Sequence, residues 1–254
     1  MNRIYFFTGT GNSLYVAKKV AERLGQCELV AIRKDMDMQL PFGYDRIGFV
    51  FPNYAGGPPA MVAAFIREMK LPGEDAPYYF VAATYGGNAG GLIPLTAAMF
   101  DERGLQLGLG TQIMCYPNWM ARFSTLVHLY ARRTNRNLAK AAERIVMKPA
   151  EHIPTVHEKD TARYQGFVSS LHNNDLKYEV NKDCVACGIC RDVCPARNIS
   201  LDKGIPTFHH QCEGCLSCIQ HCPRAAIHYK NKKLSHRRYY NEQAGVNELS
   251  AYYN

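Results

Sequence analysis

The sequence predicts an α/β chain in which a parallel sheet with helices on both faces is followed by a small cysteine-rich α+β module. Three observations carry this. Short apolar runs alternate with segments of helical apolar spacing from the N-terminus to about residue 148. Several of those runs are apolar at nearly every position, as strands buried on both faces are. Eight of the ten cysteines fall between positions 184 and 222, at two regular spacings.

Taken in order, Ile4–Phe7 is a short apolar strand ending in the turn Thr8–Ser13. Leu14–Leu24 then places Val16, Val20 and Leu24 on or near one helical face. Glu28–Ile32 and Ile47–Phe51 follow as strands, Pro59–Met69 as a helix, Tyr78–Thr84 as a strand, Leu92–Arg103 as a helix and Leu107–Met114 as a strand. Trp119–Lys148 is mostly helical, with a break expected at Thr134–Asn137. These elements assign residues 1–149 to one domain. Periodicity fades over 150–177, a polar connector with one helix expected near Ala162–Leu171. The cysteine module occupies 178–230, and 231–254 is a tail rich in basic residues and Tyr.

With 254 residues the chain is long enough for one full domain and a small module. No run approaches 18 apolar residues, so no membrane span is expected. The N-terminus has neither a basic segment before a long apolar one nor a small-residue cleavage site, and a cytoplasmic location is expected. Clustered Cys-x-x-Cys spacing in a chain of this size points to metal rather than to disulfides. The formal charge of +8 suits nucleic acid, a membrane surface or an acidic protein. Arg132, Arg136, Lys140, Arg144 and Lys148 recur every four residues as a ridge, and Lys230, Lys232, Lys233, Arg237 and Arg238 form a second cluster. No nucleic-acid recognition motif accompanies them, so the expected partner is an acidic redox protein.

The module holds one pattern twice. Cys184-x-x-Cys187-x-x-Cys190-x-x-x-Cys194-Pro195 is repeated as Cys212-x-x-Cys215-x-x-Cys218-x-x-x-Cys222-Pro223. A tight loop can present three thiolates to a cubane cluster while the fourth comes from elsewhere. Structural zinc would need two Cys pairs per site, whereas a triplet plus a remote Cys-Pro occurs here in both copies. His209, His210 and His221 are expected at the surface near these sulfurs rather than as ligands. This run resembles the two-cluster bacterial ferredoxins over residues 181–229. The resemblance implies two [4Fe–4S] clusters with crossed ligation: Cys184, Cys187, Cys190 and Cys222 for the first, and Cys212, Cys215, Cys218 and Cys194 for the second. It also implies that Ile199 and Ile227 pack over the clusters.

Thr8-Gly9-Thr10-Gly11-Asn12-Ser13 lies between the first strand and the first helix. Its glycines permit a tight turn, its hydroxyls and amide add donors, and the helix N-terminus adds partial positive charge, which together suit a phosphate. The Gly-Lys-Ser/Thr of a Walker loop is missing, and Leu14 and Asn88 each stand where a dinucleotide fingerprint needs glycine. The loop resembles the phosphate loop of the flavodoxin family, over a region of residues 1–148. That resemblance implies a doubly wound, five-stranded sheet of order 2-1-3-4-5 with FMN beyond the C-terminal strand ends. Thr8, Gly9, Thr10, Gly11, Asn12 and Ser13 would receive the phosphate. Pro52, Asn53 and Tyr54 after strand three, and Thr84, Tyr85, Gly86 and Gly87 after strand four, would flank the ring, with Tyr54 and Tyr85 offering aromatic faces. Residues 84–92 carry no acid, unlike the acidic loops of that family. Cys27 and Cys115 are expected to be buried packing residues, and Trp119 a core or domain-contact residue. The whole chain resembles flavodoxin–ferredoxin fusions, which implies electron transfer between clusters and FMN. An FMN-dependent reductase of a small acceptor, or an electron-wiring subunit of a larger complex, is the alternative.

Overall fold

The computed structural model describes residues 1–71, 73, 77–118, 127–230 and 238–254. Trp119, the start of the helix expected there, and Lys232, Lys233 and Arg237 lie outside the described residues. The first part runs β1 (Asn2–Phe6), α1 (Asn12–Leu24), β2 (Cys27–Ala31), β3 (Arg46–Pro52), α2 (Ala60–Glu68), β4 (Tyr78–Tyr85), α3 (Leu92–Asp101), β5 (Leu107–Met114) and α4 (Val127–Met147). The strands form a wholly parallel sheet in the order β2-β1-β3-β4-β5. This is the doubly wound, flavodoxin-like arrangement, with its switch point between β1 and β3.

The period of two explains why β3 and β4 read as continuous apolar runs. Ile47, Phe49 and Phe51 with Tyr79, Val81 and Ala83 face the core under α2 and α3. Val50, Phe80 and Ala82 face the opposite core, under α1 and α4. Both faces are buried, so polar alternation has no place. The chain from β2 to β3 crosses β1 without a helix and tucks Met36, Met38 and Leu40 onto the first core instead.

Helix α4 continues through Thr134–Asn137, where a break was expected. Thr134 faces inward, and its hydroxyl donates to the Met114 carbonyl at 2.5 Å, so the polar residue anchors the helix to β5. Arg132, Arg136 and Lys140 stand exposed along its outer side. The ridge is less free further on, because Arg144 pairs with Glu151 at 2.5 Å and Lys148 pairs with Asp45.

The segment between domain and module is ordered and packed. It contains α5 (Glu158–Ser169), four residues ahead of the helix expected from sequence, and a 3-10 helix at His172–Lys177. Tyr164 is buried on Gly57, where a β-carbon would come within 2.3 Å of the ring. The module follows with β6 (Tyr178–Val180), α6 (Ile189–Asp192), β7 (Ile199–Asp202), β8 (Ile205–Phe208), α7 (Ser217–Gln220) and β9 (Ile227–Tyr229). Antiparallel pairing joins β6 to β9 and β7 to β8.

Residues 238–254 do not hang free. Helix α8 (Val246–Tyr253) lays Leu249 and Tyr253 into the core under α1, and Tyr252 sets its ring edge against Phe6 at 4.8 Å. Arg238, counted in the sequence among the basic tail residues, is half-buried and donates to the carbonyls of Ala225 and Ile227 at 3.0 Å. Among the described residues no helix is long and apolar enough to cross a membrane.

Candidate functional site

The turn after β1 is built as its residue types require. Gly11 sits at φ +85° just before α1, in the left-handed region that a side chain disfavours. The Thr8 hydroxyl accepts the Gly11 N–H at 3.0 Å and closes the turn. The Ser13 hydroxyl shares a hydrogen bond of 2.8 Å with Thr84, which ties the loop to the end of β4. The Asn12 side chain is committed to neighbours: it donates to the Tyr116 carbonyl at 3.0 Å and accepts from the Tyr239 hydroxyl at 2.7 Å. What Asn12 leaves for an anion is its backbone N–H at the helix start.

Above this loop lies an open cavity of about 230 Å³. The structure brings together there Thr8, Gly9, Thr10, Asn12 and Ser13 with Pro52, Asn53, Tyr54, Thr84, Tyr85, Gly86 and Gly87. Gly11 stays behind the turn. The loop after β5, Cys115–Asn118, also lines the cavity, as does Arg163 of α5. The β5 loop could have been found from sequence by the rule that ligands sit at strand C-terminal ends, whereas Arg163 has no local signal. Cys115 is buried as expected, and burial pushes its thiol up to about 12. Cys27 is only partly buried. The donors, the helix terminus and the space fit a phosphate-bearing planar cofactor, and no Asp or Glu is among the described lining residues.

The eight clustered cysteines surround two further cavities of nearly equal size. Cys184, Cys187, Cys190 and Cys222 ring one, while Cys194, Cys212, Cys215 and Cys218 ring the other, each about 20 Å³. Each cavity takes its fourth thiol from the other repeat. Ile227 lines the first and Ile199 the second. Among the described residues no group of three or more His, Cys, Asp or Glu is placed to hold a single metal ion. Amide N–H groups already face these sulfurs: Asn198 to Cys194 at 3.4 Å, Gly214 to Cys212 at 3.3 Å and Ala226 to Cys222 at 3.2 Å. Burial pushes the Cys212 thiol up to about 11 and that of Cys190 to about 12, so a metal would have to displace their protons on binding. This donor set fits an iron–sulfur cluster in each cavity.

The two cysteine cavities differ in setting. In the first, Cys190 is buried but Cys187 is exposed and Val185 is 57 % exposed, whereas Cys212, Cys215 and Cys218 of the second are all buried. The inner cavity sits directly behind the phosphate loop. A β-carbon at Gly9 would fall 2.1 Å from the Cys215 carbonyl oxygen, so the two backbones touch. Glu213, between Cys212 and Cys215 in the chain, reaches across to α2, where its carboxylate accepts the Met61 N–H at 3.2 Å. Burial raises this carboxyl to about 7, against the pull of the helix N–H groups. Tyr54 touches Phe7 and Phe167, and its hydroxyl is buried without a partner among the described residues. His221 departs from expectation: it is buried, its Nδ1–H donates to the Ser217 carbonyl at 2.9 Å, and its ring stacks on Tyr240. His209 and His210 are exposed.

Comparison with known proteins adds the following. No protein-family model matches. A stretch of 45 residues is 40 % identical to an Escherichia coli protein described as "Putative electron transport protein YccM", covering 18 % of this chain and 12 % of that protein. Among solved structures, the Trp repressor binding protein of Bacillus subtilis matches 59 % of this chain and 99 % of its own, at 16 % identity and a TM-score of 0.41. The two-electron reduced flavodoxin of Megasphaera elsdenii matches 56 % and 98 %, at 16 % identity and a TM-score of 0.39. A Lactobacillus acidophilus flavoprotein in complex with FMN matches 51 % and 97 %, at 12 % identity and a TM-score of 0.35.

Proposed function

We propose that this chain is an electron-transfer protein passing electrons between two [4Fe–4S] clusters and FMN. The observation that carries this is the backbone contact of Gly9 with Cys215, which seats the inner four-cysteine cavity against the phosphate loop. Bound clusters would supply one-electron chemistry, and FMN would supply one- or two-electron chemistry. The residues do the placing. Cys184, Cys187, Cys190 and Cys222 would hold the outer cluster near solvent, Cys194, Cys212, Cys215 and Cys218 would hold the inner one, and Thr8–Ser13 would hold the FMN phosphate. Glu213 fixes the inner site to α2, which follows the flavin-flanking loop. With the outer cluster bound, an acidic redox protein attracted by exposed cations such as Arg224, Arg132, Arg136 and Lys140 would deliver electrons there. Rising salt weakens that docking.

The test is rapid anaerobic reduction at several protein concentrations. Flavin reduction is expected to follow cluster bleaching at a rate independent of concentration, and to vanish in protein lacking clusters. A rate proportional to protein concentration would mean that the centres do not communicate within one chain.

The phosphate loop has its own test. Thr10→Ala removes a donor to an anion, worth about 1.5–3 kcal/mol, or about ten- to a hundredfold in FMN affinity. Riboflavin, without a phosphate, is expected to bind the parent and the variant alike. Equal affinity of the parent for FMN and riboflavin would show that the phosphate is not read.

A further inference from the structure

Beside the flavin cavity lies a second, larger one of about 620 Å³, between the flavin-flanking loop, the connector and the cysteine module. The two share Asn53, Tyr54, Ala55 and Asn118, so whatever fills the second lies next to whatever fills the first. Three aromatic rings, Tyr54, Phe167 and Tyr229, line it. Its cations are brought together by strand register. Tyr178 pairs with Tyr229 across β6 and β9, and one step outward the Lys230 N–H donates to the Lys177 carbonyl at 2.7 Å, so two lysines leave the sheet end side by side. Arg163 stands on the flavin side. Neither Lys230 nor Arg163 has an ion pair among the described residues, and no Asp or Glu is among the described residues lining either cavity. The polar groups on the wall are already engaged: Asn53 donates to the carbonyls of Asn88 and Ala89, and Asn174 donates to the hydroxyls of Tyr178 and Tyr229 while its Oδ1 accepts from the Lys177 Nζ at 3.3 Å, a neutral partner that leaves the lysine's charge in place. Aromatic faces with uncompensated positive charge at one end recognise a flat conjugated body with a negative group.

We infer that this second cavity is a binding site for a small planar organic anion, placed to exchange electrons with the flavin. The inference rests on the flavin site proposed above and names the chemical class of the flavin's small-molecule partner. Lys177 and Lys230 hold the negative group, and Tyr54 and Phe167 hold the conjugated body. Such a site makes the chain more than a relay between proteins, because an organic acceptor then has its own seat beside the flavin.

Naphthalene-2-sulfonate, which is planar, anionic and redox-inert, is the probe, and uncharged 2-naphthalenemethanol is its control. Both are titrated calorimetrically into the full-length protein prepared anaerobically, with and without excess FMN. With FMN present the sulfonate is expected to bind about tenfold more tightly than the alcohol, a preference that shrinks as salt screens the lysines. The double variant Lys177→Gln/Lys230→Gln is expected to lose about that factor for the sulfonate alone. Phe167→Ala is expected to weaken both probes, and Lys70→Gln, at an exposed position away from either cavity, neither. Equal affinity for both probes, unchanged affinity in the double variant, or displacement of the sulfonate by FMN would overturn the inference. FMN binding is followed separately by quenching of flavin fluorescence. A protein that binds no FMN yet discriminates the probes through the two lysines would sink the flavin site and keep the anion site.

Discussion

Replacing Cys194 with serine is expected to remove the inner cluster, that of Cys212, Cys215 and Cys218, and to leave the cluster beside Cys194 in sequence largely intact. The grounds are geometric. Cys194 lines the cavity of the second triplet, and Cys222 lines that of the first. Iron and acid-labile sulfide should fall to about half in the anaerobically purified variant, the loss being one whole cluster of two. The mirror variant, Cys222→Ser, should lose the outer cluster instead. The two are distinguished by function: the Cys194 variant still takes up an electron from a protein donor but no longer passes it to flavin. Loss confined to the cluster of Cys184, Cys187 and Cys190 in the Cys194 variant would overturn the crossed assignment.

Adding one methyl group at Gly9 should have an effect nearly as large. The new β-carbon would lie 2.1 Å from the Cys215 carbonyl oxygen and 3.0 Å from its carbon, both backbone atoms with no rotamer to escape into. Either the phosphate loop or the inner-cluster loop must retreat. Overpacking of this kind costs about 1–3 kcal/mol of stability. Gly9→Ala should therefore weaken FMN binding about tenfold or more and slow flavin reduction by the clusters, while iron content stays at the parental level. Gly166→Ala, whose β-carbon meets nothing within 4 Å, is the control and should change neither. Parental FMN affinity and parental flavin reduction in Gly9→Ala would show that the contact does not govern the relation of the two sites.

Most of the sheet was legible because burial on both faces leaves a simple signature. Leu107–Met114 was placed to the residue, and the other strands to within two positions. The phosphate loop and the cysteine spacing were legible because each chemistry needs particular residue types at fixed separations. What sequence did not reveal is mostly long-range. Glu213 reads as an ordinary acid inside a cysteine motif until the fold sets it at the start of α2. Arg163 belongs to a connector and reaches the cavity only because Tyr164 is seated on Gly57. The helix over Val246–Tyr253 was hidden because it buries only Leu249 and Tyr253 of its own residues, too few to raise a helical period above a Tyr-rich, polar background.

The contact between Tyr253 and Thr8 has a consequence for the order in which the molecule matures. The Thr8 N–H donates to the Tyr253 hydroxyl at 3.1 Å, that hydroxyl donates back to the Thr8 carbonyl at 2.6 Å, and the two residues stand 245 positions apart. During synthesis the first strand and its loop emerge early, yet the residue that satisfies the loop's backbone appears only after every cysteine of both repeats has been made. Contacts of such separation form late and slowly. The loop after β1 therefore reaches its final form only after the cysteine module has been synthesised. Under the proposed function, every cluster ligand is thus synthesised before the residue that completes the backbone of the phosphate loop.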